Sequence, residues 1–112
     1  MYSLLFDRIR NLLTAKEVAW EEKNMMGGIT FMVDNKMCFG TLKGGLLCRI
    51  DPEEIEALLQ RNDTEVMTQG GREMKGYVYV LPKGFESDQA LDFWISRCLV
   101  FNPKAKASKR KK

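Results

Sequence analysis

The chain has 112 residues, of which 45% are hydrophobic and 29% are charged, and its formal net charge is +3. These values are typical of a globular protein, and the length allows one domain with a single hydrophobic core. No apolar run approaches 18 residues and the start carries no basic leader, so we expect neither a transmembrane helix nor a signal peptide, and we expect a cytoplasmic protein.

The first element in chain order is a helix. Leu5, Ile9, Leu12 and Leu13 recur at helical spacing, which predicts a helix that runs to about Lys16. Residues 17–28, "EVAWEEKNMMGG", show no clear period. We expect an irregular link there, with a short extended piece around Val18 and Trp20.

A hairpin follows, because "ITFMV" and "KMCFGTL" flank Asp34-Asn35, and Asp and Asn tolerate the positive φ values of a two-residue turn. This turn would place Phe31 opposite Cys38. The next reversal, at residues 43–45, is predicted to be a three-residue loop. A two-residue turn at residues 44–45 is the alternative, and it would move the side chains of the third strand to the other face.

The favoured register separates the side chains of this meander into two faces. One face collects Ile29, Phe31, Val33, Cys38, Leu42, Leu46, Cys48 and Ile50. The other collects Thr30, Met32, Met37, Phe39, Thr41, Leu47 and Arg49.

The remaining elements are a helix, two strands and a helix. Asp51-Pro52 is typical of a helix start, and this second helix is predicted to end near Asn62. Strands are predicted at 64–68 and 77–82, and a helix at 87–101. The order αβ3αβ2α indicates a two-layer α+β fold with a five-stranded antiparallel sheet and the helices on one face. Residues 1–103 would form this domain, and 104–112 a basic disordered tail.

Four motifs, "MMGG", "FMV-DN-KMC", "RIDPEE" and "MKGYVYV", occur in this order within residues 4–102. Together at these spacings they resemble the N-terminal domain of the TfoX family. The resemblance implies the same αβ3αβ2α fold, in a class that also resembles type III secretion chaperones. It also implies a link to the regulation of natural competence, that is, of bacterial DNA-uptake genes. The full-length regulators carry a second, helical domain, so we expect a stand-alone version of the first domain here.

The strongest candidate site is the predicted second face, the side of the sheet away from the helices. It would expose Met32, Met37, Phe39, Leu47, Tyr77 and Tyr79. An exposed apolar surface of several hundred Å² marks an interaction site, and a homodimer or another protein would cover it. Two alternatives remain open: the N-terminal link or the tail folds back over this face, or long side chains half-cover it.

A second candidate contact joins Gly27 and Gly28 with Arg49 and Lys75. The glycines could bring backbone N–H groups close to a ligand, but no phosphate-loop motif surrounds them, and a tight turn is the better interpretation. The two cations could contact an acidic partner. Pairing with nearby glutamates is the better interpretation for them.

The tail is the only basic segment. Its nine residues contain no acid, and without its six basic residues, 12 basic and 15 acidic residues remain, a net charge of −3 over residues 1–103. Such a tail could contact nucleic acid weakly and without sequence preference, or it could simply be a solvated terminus. The basic residues are Lys104, Lys106, Lys109, Arg110, Lys111 and Lys112.

No catalytic or metal-binding pattern is visible in the sequence. The chain has no histidine, and Cys38, Cys48 and Cys98 show no CxxC spacing. All three cysteines lie in apolar contexts, where a thiol reacts poorly. We therefore expect reduced thiols, no metal, no cofactor and no enzymatic activity.

Overall fold

One antiparallel sheet of six strands forms the frame of the protein in residues 2–25, 28–69 and 71–105, the parts that this computed structural model describes. The strands lie side by side in the order β1-β2-β3-β4-β6-β5. They span Glu21–Met25 (β1), Gly28–Val33 (β2), Lys36–Leu42 (β3), Gly45–Arg49 (β4), Thr64–Gln69 (β5) and Arg72–Val80 (β6). The helices span Tyr2–Ala15 (α1), Pro52–Leu58 (α2) and Asp88–Phe101 (α3), with 3-10 turns at Pro82–Gly84 and Asn102–Lys104.

The predicted α+β class is confirmed, but the predicted five strands are wrong because the link after α1 contains a strand. Strand β1 pairs with β2 along its whole length, from Glu21 opposite Met32 to Met25 opposite Gly28. Four of its five residues have charged or amide side chains. Its sequence therefore has none of the apolar alternation that identifies a strand. Pairing with β2, rather than local preference, therefore produces this strand, and the order becomes αβ4αβ2α.

A β-bulge in β3 changes the register that the sequence predicted for the first hairpin. The two-residue turn at Asp34-Asn35 is confirmed, with φ values of 57° and 65°. Met32 lies opposite Met37, but Phe31 lies opposite Phe39, so Cys38 is an extra residue. Such a bulge interrupts the strict alternation of faces. Phe39, predicted for the second face, is instead fully buried beneath the helices together with Cys38.

The second turn is also shorter than predicted. Leu42 lies opposite Gly45, so the loop consists of Lys43-Gly44, with φ values of 53° and 86°. The bulge and the shorter turn each shift the alternation by one residue, and the two shifts cancel along β4. Leu46 and Cys48 therefore face the helices as predicted, whereas Leu42 lies on the other face.

The main core lies between the sheet and the three helices. Trp94 of α3 is fully buried in it and donates its Nε1–H to the carbonyl of Gly84 at 3.1 Å. Ser87 caps α3 by accepting a hydrogen bond from the N–H of Ala90, and Asp51 caps α2. The helical residues of this core are Leu5, Ile9, Leu13, Leu58, Leu91, Trp94, Ile95 and Cys98. None of the described helices is long and apolar enough to span a membrane.

Candidate functional site

A second, smaller apolar cluster lies on the other side of the sheet, and no described helix contributes a residue to it. We call it the Met/Tyr face. Its buried members are Met32, Met37, Leu47 and Met67, and its half-buried members are Leu42, Met74, Tyr77 and Tyr79.

Cross-strand pairing assembles this face from five strands. Met32 of β2 lies opposite Met37 of β3, and Leu47 of β4 lies opposite Tyr79 of β6. Partners that lie opposite each other in an antiparallel pair project to the same face, so each of these pairs forms part of a continuous apolar layer. Strand β5 adds Met67 at one side of the layer.

The structure corrects the expectation that this layer is openly exposed. Met32, Met37 and Met67 are only 7–8% exposed, and Leu47 is 3% exposed. Of the alternatives from the sequence, the one in which long side chains half-cover the face is the nearest to this pattern, although four members are more deeply buried than that. What the layer presents to its surroundings is mainly its half-buried members.

Polar contacts hold the two tyrosines in place. The Tyr79 hydroxyl donates to the carbonyl of Leu42 at 2.7 Å, which fastens the β3–β4 turn onto β6. The guanidinium of Arg49 lies 5.9 Å from the centre of the Tyr77 ring, a cation–π distance, and donates to the carbonyl of Met37 at 3.4 Å. Arg49 is thus part of this face and joins its methionines to its tyrosines.

The structure does not bring Gly28, Arg49 and Lys75 together. Arg49 contacts Met37 near the start of β3, whereas a Cβ atom at Gly28 would collide with the carbonyl of Thr41 near its end. That collision gives Gly28 a packing role. Lys75 is exposed on β6, and Gly27 lies outside the described residues.

The basic tail lies mostly outside the described residues. Lys104 is exposed within the last 3-10 turn, and the following Ala105 is buried. Upstream of this turn, the buried Asn102 donates from Nδ2 to the carbonyl of Val33 at 3.1 Å. This bond fixes the point from which the chain continues toward Lys106 and Lys109–Lys112.

The three cysteine thiols are free and buried. Burial raises the pKa of Cys38 far above its ordinary value. Burial, followed by a hydrogen bond to Cys48, raises the pKa of Cys98 in the same direction. A thiol must lose its proton to act as a nucleophile, so these two side chains are poorly suited to that role. No group of metal-ligating side chains is present in residues 2–25, 28–69 and 71–105.

Sequence reasoning missed three members of the Met/Tyr face. Alternation in "TEVMT" places Met67 on the face opposite Val66, and this signal was available in the sequence. The position of Met74 could not be predicted from alternation. The register between β5 and β6 shifts there, because the four residues Met74–Tyr77 of β6 lie against a single residue of β5. Leu42 was misplaced because of the bulge at Cys38.

The family model described as the TfoX N-terminal domain matches residues 13–101 of the chain. This match covers most of the 112 residues, so the chain belongs to the TfoX N-terminal domain family. Neither the curated proteins nor the solved structures gave a match.

Proposed function

We propose that this member of the TfoX N-terminal domain family is a non-catalytic regulatory or protein-interaction domain whose Met/Tyr face binds a partner protein. The observation that supports the proposal is the second apolar cluster on the sheet face to which no described helix contributes. By analogy with the TfoX regulators that the sequence resembles, the binding event would serve regulation, including that of competence genes.

The chemical make-up of this face favours a protein as the ligand. When one face of an antiparallel sheet is exposed to water, polar side chains occupy that face. In this sheet methionine, leucine and tyrosine occupy it instead. Methionine side chains adapt their shape to a partner at low cost. Tyrosine is enriched in interfaces because it combines a large apolar ring with a polar tip.

The burial pattern indicates which side chains a partner would contact first. Tyr77, Met74 and Leu42 are half-buried, whereas the methionines of β2 and β3 lie beneath their neighbours. We therefore expect initial contact at Tyr77 and the residues around it. Movement of Met32 and Met37 would then enlarge the apolar contact area.

The buried thiols support the non-catalytic part of the proposal. Burial raises the pKa of Cys38 and of Cys98, which reduces further the small thiolate fraction that an ordinary thiol has at neutral pH. The charged side chains of α2 have structural roles as well, since Asp51 caps the helix and Glu54 pairs with Arg97 at 2.9 Å.

Quantitative capture from the native cell with three baits tests the proposal. The baits are the wild-type chain, Tyr77→Lys, which places a second cation beside Arg49, and Val100→Lys. Val100 is 70% exposed on α3, so its variant adds the same charge away from the Met/Tyr face. We expect wild type and Val100→Lys to capture the same protein and Tyr77→Lys to lose it. Equal capture by all three baits would contradict the proposal, provided that circular dichroism shows an intact fold.

The composition of the tail favours a second candidate function, that of an accessory protein bound to nucleic acid. Six of the last nine residues are basic and none is acidic. Lysine-rich segments contact phosphates and release counterions, which gives weak, salt-sensitive binding without base recognition.

A further inference from the structure

Strand β5 is a sheet edge that lacks the usual protection against pairing. It pairs with β6 on one side and has no other neighbouring strand among the described residues. Glu65 is its one charged residue, and Val66 is 45% exposed, one of the few large apolar side chains so exposed. Strand β1, at the opposite edge, carries Glu21, Glu22 and Lys23, which is how natural proteins discourage edge pairing.

The hydrogen-bond pattern identifies the backbone groups that β5 directs outward. The N–H of Leu81 donates to the carbonyl of Asp63 at 2.8 Å. Residues of an antiparallel strand point their backbone groups alternately to one side and to the other. Asp63 and Glu65 therefore bond toward β6, and Thr64 and Val66 direct their N–H and C=O groups to the open edge. The register shifts after Val66, where Met74–Tyr77 of β6 lie against the single residue Met67. The extra residues thus belong to β6, and continued alternation along β5 directs the backbone groups of Thr68 outward as well.

We propose that β5 pairs with β5 of a second copy of this chain in an antiparallel ladder centred on Val66. In this register Val66 exchanges both backbone hydrogen bonds with Val66 of the partner subunit, and Thr64 exchanges its bonds with the partner's Thr68. The six-stranded sheets join into one continuous sheet around a two-fold axis. This inference goes beyond the proposed function, because it uses the backbone edge of β5 rather than the Met/Tyr face. The two surfaces border each other at Met74 and Tyr77, which line the groove beside Val66.

Charge favours this register over its neighbours. A ladder centred on Glu65 would place two carboxylates directly opposite each other, which destabilises a strand pair. A ladder centred on Val66 places each Glu65 opposite the partner's Met67. Pairing of β5 with β1 of another copy would be a head-to-tail contact, which forms an open filament or a ring rather than a closed two-fold dimer.

The surface beside Val66 supplies apolar area for the same contact. A groove of about 330 Å³ runs between α2 and the sheet, and Val66 lines it. On the helix side it is lined by Ile55 and Leu59, which are both half-buried. In the proposed dimer the two Val66 side chains meet at the centre of the interface, with these residues of α2 next to them. Removal of this apolar surface from water would add a favourable contribution to dimerisation.

Sedimentation equilibrium of the full chain tests the proposal directly. We expect wild type to reach twice its monomer mass of 12.9 kDa at micromolar concentrations. Val66→Lys would raise the dimer dissociation constant at least about tenfold, because two lysines would face each other at the axis. Val100→Lys, the matched control on α3, should leave the dimer unchanged. A wild type that stays monomeric, or a Val66→Lys dimer as tight as wild type, would overturn the proposal.

Two further variants test the register and distinguish this surface from the Met/Tyr face. Paired residues of the hydrogen-bonded type have Cα atoms about 5.5 Å apart, a separation that a disulfide spans. Val66→Cys should therefore form an intermolecular disulfide with oxidised glutathione, which leaves as two reduced glutathione molecules, whereas Val100→Cys should not. Leu42→Lys, which lies on the Met/Tyr face and outside the groove beside Val66, should keep the dimer. Loss of the dimer in Leu42→Lys together with its retention in Val66→Lys would assign self-association to the Met/Tyr face and overturn this proposal.

Discussion

Phe31 of β2 and Phe39 of β3 lie directly opposite each other, and their rings stack with centroids 4.9 Å apart and planes inclined by 10°. Both side chains are fully buried beneath the helices. This contact depends on the extra residue Cys38, because an unbroken hairpin would turn Phe39 to the opposite face. The bulge therefore adds the ring of Phe39 to the main core, beside that of Phe31.

Phe39→Ala tests this placement. Because the ring lies in the main core, we expect the free energy of unfolding to fall by about 3–5 kcal/mol. Urea unfolding followed by circular dichroism measures it. Val100→Ala, a matched truncation at an exposed site, should stay within about 0.5 kcal/mol of wild type. A Phe39→Ala value as small as that of the control would mean that Phe39 is not a core residue.

The bulge also shows how far the sequence could predict the fold. Alternation of period two correctly placed Phe31, Leu46 and Cys48 toward the helices. It could not detect the extra residue at Cys38, because β-bulges leave no fixed mark on composition. It likewise missed β1, whose residues carry no apolar pattern and are fixed by tertiary contacts.

The candidate site could be predicted to a similar extent. Five of its proposed residues, Met32, Met37, Leu47, Tyr77 and Tyr79, do lie on the Met/Tyr face, and Phe39 does not. Their burial was not predictable, because it depends on how long side chains from neighbouring strands lie across one another.

Glu22 should contribute to stability in a pH-dependent way. It accepts hydrogen bonds from Arg10 at 2.8 Å and from Trp20 at 2.9 Å, and so joins β1 to α1. The hydrogen bond from Arg10 is the main cause that lowers the pKa of Glu22 to about 2. A lowered folded-state pKa stabilises the fold above the unfolded value of about 4.3, and this contribution is lost as the pH falls toward 2.

Glu22→Gln should accordingly cost about 0.2–1 kcal/mol at pH 7, the usual range for an exposed ion pair. The difference from wild type should shrink as the pH falls below about 4.3. Urea unfolding of both proteins across this range measures it, and a difference that does not depend on pH would argue against the ion pair.

The cysteines should resist thiol reagents until the protein unfolds. Cys38 and Cys98 are about 1% exposed, and burial raises the pKa of each. We expect negligible reaction with Ellman's reagent at pH 8 in buffer, and reaction of all three thiols in guanidinium chloride. Rapid labelling of the native protein would contradict the described burial.

The same shift in pKa predicts a loss of stability in alkaline solution. The unfolded chain releases its thiol protons near pH 8.5, while the folded chain retains them. The free energy of unfolding should therefore be unaffected by the thiols below this pH and should fall as the pH rises above it. Cys98→Ala, compared with wild type by denaturant unfolding from pH 7 to 10, should reduce the slope. An unchanged slope would contradict the assignment.

Removal of residues 106–112 tests the nucleic-acid alternative. If the tail contacts phosphates, binding to duplex DNA should be weak, should fall steeply with salt and should disappear on truncation. A full-length variant with serine at its five basic positions is the control for length, and it should match the truncation. Binding that persists in both variants would exclude the tail as the contact.

The central claim is that a partner protein occupies the Met/Tyr face, and methionine methyl NMR tests it most directly. The captured partner is added to protein that carries ¹³C at the methionine methyl groups and at the methyl groups of Leu and Val. We predict that the resonances of Met32, Met37 and Met67 shift or broaden while those of the exposed Leu4 and Val100 stay unchanged. Unchanged methionine resonances with shifts at Leu4 or Val100 would contradict the claim.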